Sequence, residues 1–209
     1  RISMKKVIAI LFSVLFLNSI AHAGVGISLL AGQVSTSGTE NEKSGDKGPE
    51  KNSKDFDEAF YGASIYAEFE ASNGIVYGID YVPLEIELGS GQRTDTAAVS
   101  ENDSGTRKAS ANLEDLITLY TNIPFGDGGT YGLLGIHMAE MTSSETLPNS
   151  TYGDETVYGA QFGLGYKSGS LKYELSYSDF EDISLSSSSG SSTVTGEADA
   201  ISLKIAYGF

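Results

Sequence analysis

Beyond residue 23 the chain carries one histidine, His137, its one side chain of ordinary pKa near neutrality that could serve as a general base. A nucleophile–base–acid set needs the base and its orienting group within hydrogen-bond reach. Ser, Asp and Glu are so abundant that their presence singles out no partner, and His137 is read as structural. The second chemistry is charge pairing. Glu68, Glu70, Asp80, Lys167, Lys172, Glu174 and Lys204 fall, by the alternation described below, on the small, polar faces of their segments. Charges of one sign enclosed together are prohibitive, so pairing is expected. Lys172 and Lys204 should neutralise Glu174 and at least one carboxylate among Glu68, Glu70 and Asp80. The third is cation binding: Glu40, Glu42, Asp46, Glu50, Asp55, Asp57 and Glu58 lie close together, where Ca²⁺ or Mg²⁺ could bind. Their spacing matches no defined calcium loop, so a solvated acidic surface is the reading. Gly159-x-x-x-Gly163-x-Gly165 precedes no helix and suggests no phosphate loop. Asn149-Ser150-Thr151 fits a glycosylation sequon. No catalytic residue, metal or cofactor is expected.

The elements that position these groups are strands. Residues 200–209 alternate fully, with Ile201, Leu203, Ile205, Tyr207 and Phe209 on one face and Ala200, Ser202, Lys204, Ala206 and Gly208 on the other. An exposed strand this apolar would aggregate in water, but it suits an apolar face in lipid and a small, polar face lining a narrow barrel. Similar segments recur at barrel-strand length: 25–34, 60–70, 75–88, about 113–123, a fifth from Thr130, 157–167 and 171–179. The third changes parity at Pro83, where a bulge is expected because proline cannot donate to a ladder. In the fifth both faces are apolar through Met138, so its register stays open. Eight strands result. Outward aromatics recur four residues apart, Tyr77 with Tyr81 and Tyr173 with Tyr177, about 13 Å along a strand. Tyr131, Tyr166, Tyr207 and Phe209 are expected at one rim, where tyrosine suits a membrane–water interface.

The connections alternate in length. Ser72-Asn73-Gly74, Gly126-Asp127-Gly128-Gly129 and Ser168-Gly169-Ser170 have hairpin-turn composition. Between them lie polar stretches, about 35–58, 89–110, 142–156 and 180–199, expected as long extracellular loops. Arg93, Arg107 and Lys108 in the second could meet lipopolysaccharide phosphates. At the front, Lys5 and Lys6, the apolar run Val7 to Leu17 and Ala21-His22-Ala23 before Gly24 have the layout of a secretory signal peptide. The apolar run is shorter than the about 20 residues a spanning helix needs. Translation is expected to start at Met4 and cleavage to fall between Ala23 and Gly24. That removes Arg1, Lys5 and Lys6 and no acid, taking the formal charge from −15 to −18.

Such acidity argues against nucleic acid, and the absence of cysteine excludes a disulfide framework. The leader, eight alternating segments, alternating connections and terminal Tyr207-Gly208-Phe209 together resemble the small OmpA/OmpX-like outer-membrane β-barrel family. That resemblance implies an all-β, closed, antiparallel up-and-down eight-stranded transmembrane barrel over residues 24–209, in the outer membrane of a Gram-negative bacterium. It also implies that Tyr207 and Phe209 form the signal read by the barrel-insertion machinery. Expected partners are outer-membrane lipid, lipopolysaccharide and that machinery, with a monomeric barrel. The resemblance further implies that lipid-modifying enzymes of this barrel size use a His with Ser and an acid, so His137 is where that activity would reside. A structural or surface-exposed, non-enzymatic protein with a side-chain-filled lumen is the first expectation. A small pore, a lipid-modifying enzyme and a soluble ligand-binding barrel are the alternatives.

Overall fold

A computed structural model describes residues 23–45, 48–95, 105–146, 151–190 and 192–209. The leader, residues 1–22, lies outside the described residues. Nine strands form among them: β1 Ala23–Gly45, β2 Gly48–Glu70, β3 Val76–Val82, β4 Ile86–Asp95, β5 Gly105–Pro124, β6 Thr130–Glu145, β7 Glu155–Ser168, β8 Leu171–Ser186 and β9 Ser192–Gly208. All pairings are antiparallel. The ladder runs β3-β2-β1-β9-β8-β7-β6-β5-β4, and pairing of β3 with β5 joins it into a ring of hydrogen bonds.

The count is nine rather than the expected eight because the segment 75–88 is interrupted, not bulged. Pro83 has no N–H to give a ladder, and Pro83, Leu84 and Glu85 leave the sheet between β3 and β4. Opposite the break, β5 shifts register between Glu114 and Ile117. There Asp115 takes φ 51°, a left-handed conformation that Asp tolerates better than most residues. Its carboxylate accepts the Tyr81 hydroxyl, which fixes the end of β3 against β5.

The four long connections also differ from expectation. Much of 35–58, 89–110, 142–156 and 180–199 is strand, and β1 and β2 stay paired from Ala23↔Phe69 out to Gly45↔Gly48. Period-two hydrophobicity fades there because the hairpins run beyond the region whose two faces differ in polarity; at their bases Phe180, Ile183 and Ala198 still reach the apolar core. Backbone pairing needs no such alternation, so polar sequence carries the hairpins beyond the apolar region.

Within the apolar region alternation governs. Ile27, Leu29, Tyr61, Phe162, Leu164, Leu175, Leu203 and Ile205 point outward and are exposed. On β7 this face runs from Tyr158 to Tyr166, eight residue steps or about 26 Å along the strand. Phe69 stacks on Tyr77 and Phe162 packs on Tyr177, both with centroids 5.3 Å apart. Ala67, Ile79 and Ile117 share the outward parity yet are buried, because Tyr81 and Met138 pack across them. The fifth expected strand is β6, and its register is now fixed: Thr118↔His137 and His137↔Gly159 place His137 inside. Tyr131 shares that parity. It is buried in the lumen, not at the outer rim as expected; the doubly apolar sequence had concealed its face.

The lumen has two zones. Toward the short-turn end it is polar and charged. Toward the other end it is an apolar core of Leu30, Val34, Phe60, Leu113, Met141 and Phe180 with their neighbours.

Candidate functional site

The charged lumen zone is built by inward positions on every strand but β4, and its glycines make room for it. A Cβ on Gly26, Gly78 or Gly165 would stand 2.2–2.4 Å from ring atoms of Tyr66, Tyr120 or Tyr131 respectively. The three rings therefore lie flat on bare backbone, which brings two of their hydroxyls onto carboxylates. Tyr120 donates to Glu68 Oε2 at 2.9 Å, and Tyr131 donates to Glu174 Oε1 at 2.7 Å. Charge-assisted bonds of this kind are about twice as strong as neutral ones.

Two lysines stand among three carboxylates. Lys172 Nζ lies 2.6 Å from Glu68 Oε2, with its ammonium 4.1 Å from the centroid of the Tyr66 ring. Lys204 Nζ lies 2.8 Å from Asp80 Oδ2 and 3.6 Å from Glu174 Oε2. Glu174 is also the cross-strand neighbour of Lys204 in the β8–β9 ladder. The Lys172 and Lys204 contacts to Glu68 and Asp80 cross the interior to β2 and β3. Glu70 and Lys167 sit exposed at the short-turn mouth and make no ion pair among the described residues.

Above the charges lies a belt of hydroxyls. His137 is 5% exposed; its Nδ1 meets Thr118 Oγ1 at 2.8 Å, its Nε2 meets Ser178 Oγ at 2.9 Å, and its ring stacks on Phe180. Gln161 donates to Ser176, which also bonds Ser202, both at 2.9 Å. A cavity of about 50 Å³ lies between this belt and the apolar core. A Ser–His contact thus exists, but Thr118 occupies the place where a hydrolytic triad carries its acid.

The other residues singled out by sequence are scattered. Ala23 pairs with Phe69 and Gly24 with Glu68 at the short-turn end. Phe209 is exposed, packs edge-on against Tyr207 with centroids 5.4 Å apart, and donates its N–H to the Val25 carbonyl. At the far end Glu40 accepts the Tyr152 hydroxyl at 2.7 Å. Burial there, reinforced by Glu40, holds the Tyr152 hydroxyl well above the ordinary tyrosine range. Asp57 accepts from Ser35 at 2.6 Å, and Asp55 and Lys108 are exposed. The side chains of Glu42, Asp46, Glu50, Arg93 and Arg107 lie outside the described residues. Among the described residues no group of three or more His, Asp or Glu side chains is arranged to hold a metal ion.

Sequence reasoning did not assign the roles of Tyr120 and Tyr131. For Tyr120 the available signal was a large aromatic on an otherwise polar face.

No family model matches the chain, and no curated protein matches it. Solved structures of similar outline include the outer-membrane protease OmpT of Escherichia coli, at 10% identity over 92% of this chain and 99% of that one, TM-score 0.49. Outer membrane protein AlkL is 12% identical over 92% and 93%, TM-score 0.48. Ail, the attachment invasion locus protein of Yersinia pestis, is 14% identical over 90% and 100%, TM-score 0.36.

Proposed function

We propose that the chain is a structural or surface-exposed outer-membrane β-barrel protein of a Gram-negative bacterium, non-enzymatic, with a lumen filled by its own side chains. The observation that carries this reading is the girdle of exposed Leu, Ile, Phe and Tyr around a ring of paired strands. Water would penalise so much contiguous apolar surface, whereas hydrocarbon favours it, and a ring leaves few unpaired strand edges within it. The short-turn end, where Gly24 and Phe209 lie, then faces the periplasm. The acidic, Ser/Gly-rich hairpins project outside the cell.

The filled lumen argues against conduction. Two ion-pair groups cross it and an apolar core lies above them. A lipid-modifying activity is disfavoured because His137 meets Thr118 and Ser178 within the interior, beside a cavity of only about 50 Å³. Migration in detergent gels tests the central reading: unboiled and boiled protein should run differently and partition with outer membranes. Identical migration, with solubility in the absence of detergent, would establish a soluble barrel. Steady large conductance in planar bilayers would make it a pore. Altered lipid A masses in cells with and without the protein would make it an enzyme.

A further inference from the structure

The enclosed charges of the lumen do not balance. Among the described residues Glu68, Asp80 and Glu174 form ion pairs only with Lys172 and Lys204, and all five side chains are at most 17% exposed. Tyr120 and Tyr131 donate hydrogen bonds to two of the carboxylates but add no positive charge. Among the described residues His137 meets hydroxyls rather than a carboxylate. Glu70 and Lys167 are at the mouth, in solvent. Each carboxylate touches a lysine, but Lys204 is shared by Asp80 and Glu174, so the group as a whole is one positive charge short, a costly condition in a narrow lumen.

Glu68 is the carboxylate with room for one. Lys172 and Tyr120 both engage its Oε2, which leaves Oε1. Its ladder partner is Gly24, where a Cβ would stand 4.0 Å from Glu68 Cγ. Gly24, Glu68 and Lys172 line the same bowl of about 300 Å³ at the mouth, where exposed Glu70, Lys167 and Phe209 also line it. Gly24 is also the residue that follows Ala21-His22-Ala23. Hydrolysis of the Ala23–Gly24 peptide bond adds water across it. Ala23 leaves with a carboxylate, and Gly24 keeps an amine that takes up a proton near neutral pH.

We propose that the α-ammonium created at Gly24 by leader removal is the third cation of the lumen and pairs with Glu68. The inference rests on reading the chain as an exported barrel. Before processing, an uncharged amide occupies that position; after it, three carboxylates meet three cations. Leader cleavage thus completes the barrel's internal charge balance as well as releasing the chain.

The test compares residues 24–209 refolded in detergent with a free or an acetylated α-amine, in the original sequence and in Glu68→Gln. Acetylation should lower the folded-to-unfolded ratio in urea about tenfold, the scale of one charge-assisted bond, and by less than about twofold in Glu68→Gln. Glu70→Gln should leave the acetylation effect intact. The intact mass of protein from outer membranes should correspond to a start at Gly24. Equal loss in both backgrounds, no loss in either, or a different mature start would overturn the proposal. Should Glu68→Gln not fold, the amine's titration decides: a value above the ordinary range of about 7.7–8.0 supports the pair, and one within it overturns it. If no form shows heat-modifiable migration while the protein stays soluble without detergent, the barrel reading itself falls, and this inference with it.

Discussion

The two zones of the lumen use inward positions of the same strands, yet they satisfy burial by opposite means. Near the short turns the interior is filled by Lys172, Lys204, three carboxylates and the hydroxyls of Tyr120 and Tyr131, each of these dependent on a particular partner. Near the hairpins it is filled by Leu, Val, Phe and Met, which need only volume. A charge left without its partner is stranded in low dielectric, whereas a missing methyl group leaves a void that neighbours can partly close. The charged zone should therefore respond sharply to the identity of a substitution, and the apolar zone to its size.

Lys204→Met gives the largest expected break in that comparison. It keeps the volume but strands Asp80 and Glu174, and should cost about 3–5 kcal/mol in urea unfolding of the refolded protein. Adding Asp80→Asn should recover part of the loss, since one of the stranded charges is then gone. If Lys204→Met is silent, Lys204 is not neutralising a buried charge. In the apolar zone Leu113→Ala should cost about 2–5 kcal/mol, and Leu113→Met less than about 1.5 kcal/mol. Equal losses from both Leu113 changes would show that this zone, too, depends on identity rather than volume.

The outer face supplies the next contrast. Leu203→Lys places a charge on the outward side of β9, one residue from inward Lys204. It should cost about 2–4 kcal/mol in lipid if Leu203 lies near the bilayer midplane. If Leu203 tolerates lysine as position 204 does, the girdle does not meet hydrocarbon. A smaller effect is expected at Tyr131→Phe, which removes one donor from Glu174 while Lys204 remains. About 1.5–3 kcal/mol is the scale for a hydrogen bond to a charged group.

These contrasts also explain what could be read from the sequence. Alternation marks the faces of β7, β8 and β9 because outward-facing and lumen-facing residues there differ in polarity. It fails on β6, where Leu133 is buried inside, Ala139 and Met141 join the apolar core, and Leu134 and Ile136 face outward, so both faces look alike. It also hides the hairpin extensions, whose strands bury little on either side. The break after Val82 was visible as Pro83, but whether proline makes a bulge or divides a strand depends on the irregular turn at Asp115 across the ladder. In the charged zone, alternation can place Lys172 and Glu68 on inward faces. Their meeting, 104 residues apart, depends on the relative positions of many strands around the ring. That information is distributed over every pairing and resides in no single segment.

The smallest expected effect on stability is at the chain's end, and it separates folding from delivery. Phe209 is 76% exposed, touches Tyr207 edge-on and is held through its backbone N–H to Val25. Phe209→Ala keeps that backbone bond and removes little buried surface, so the urea midpoint of the refolded protein should hardly move. The amount of folded protein reaching the outer membrane should nevertheless fall, with export and leader removal unchanged, if the terminal aromatic is what the insertion machinery reads. Pulse-labelled cells, fractionated and assayed for heat-modifiable protein, give both quantities together. A normal outer-membrane level would remove the signal role from Phe209. A lowered level accompanied by a lowered urea midpoint would assign the defect to the barrel's own stability instead.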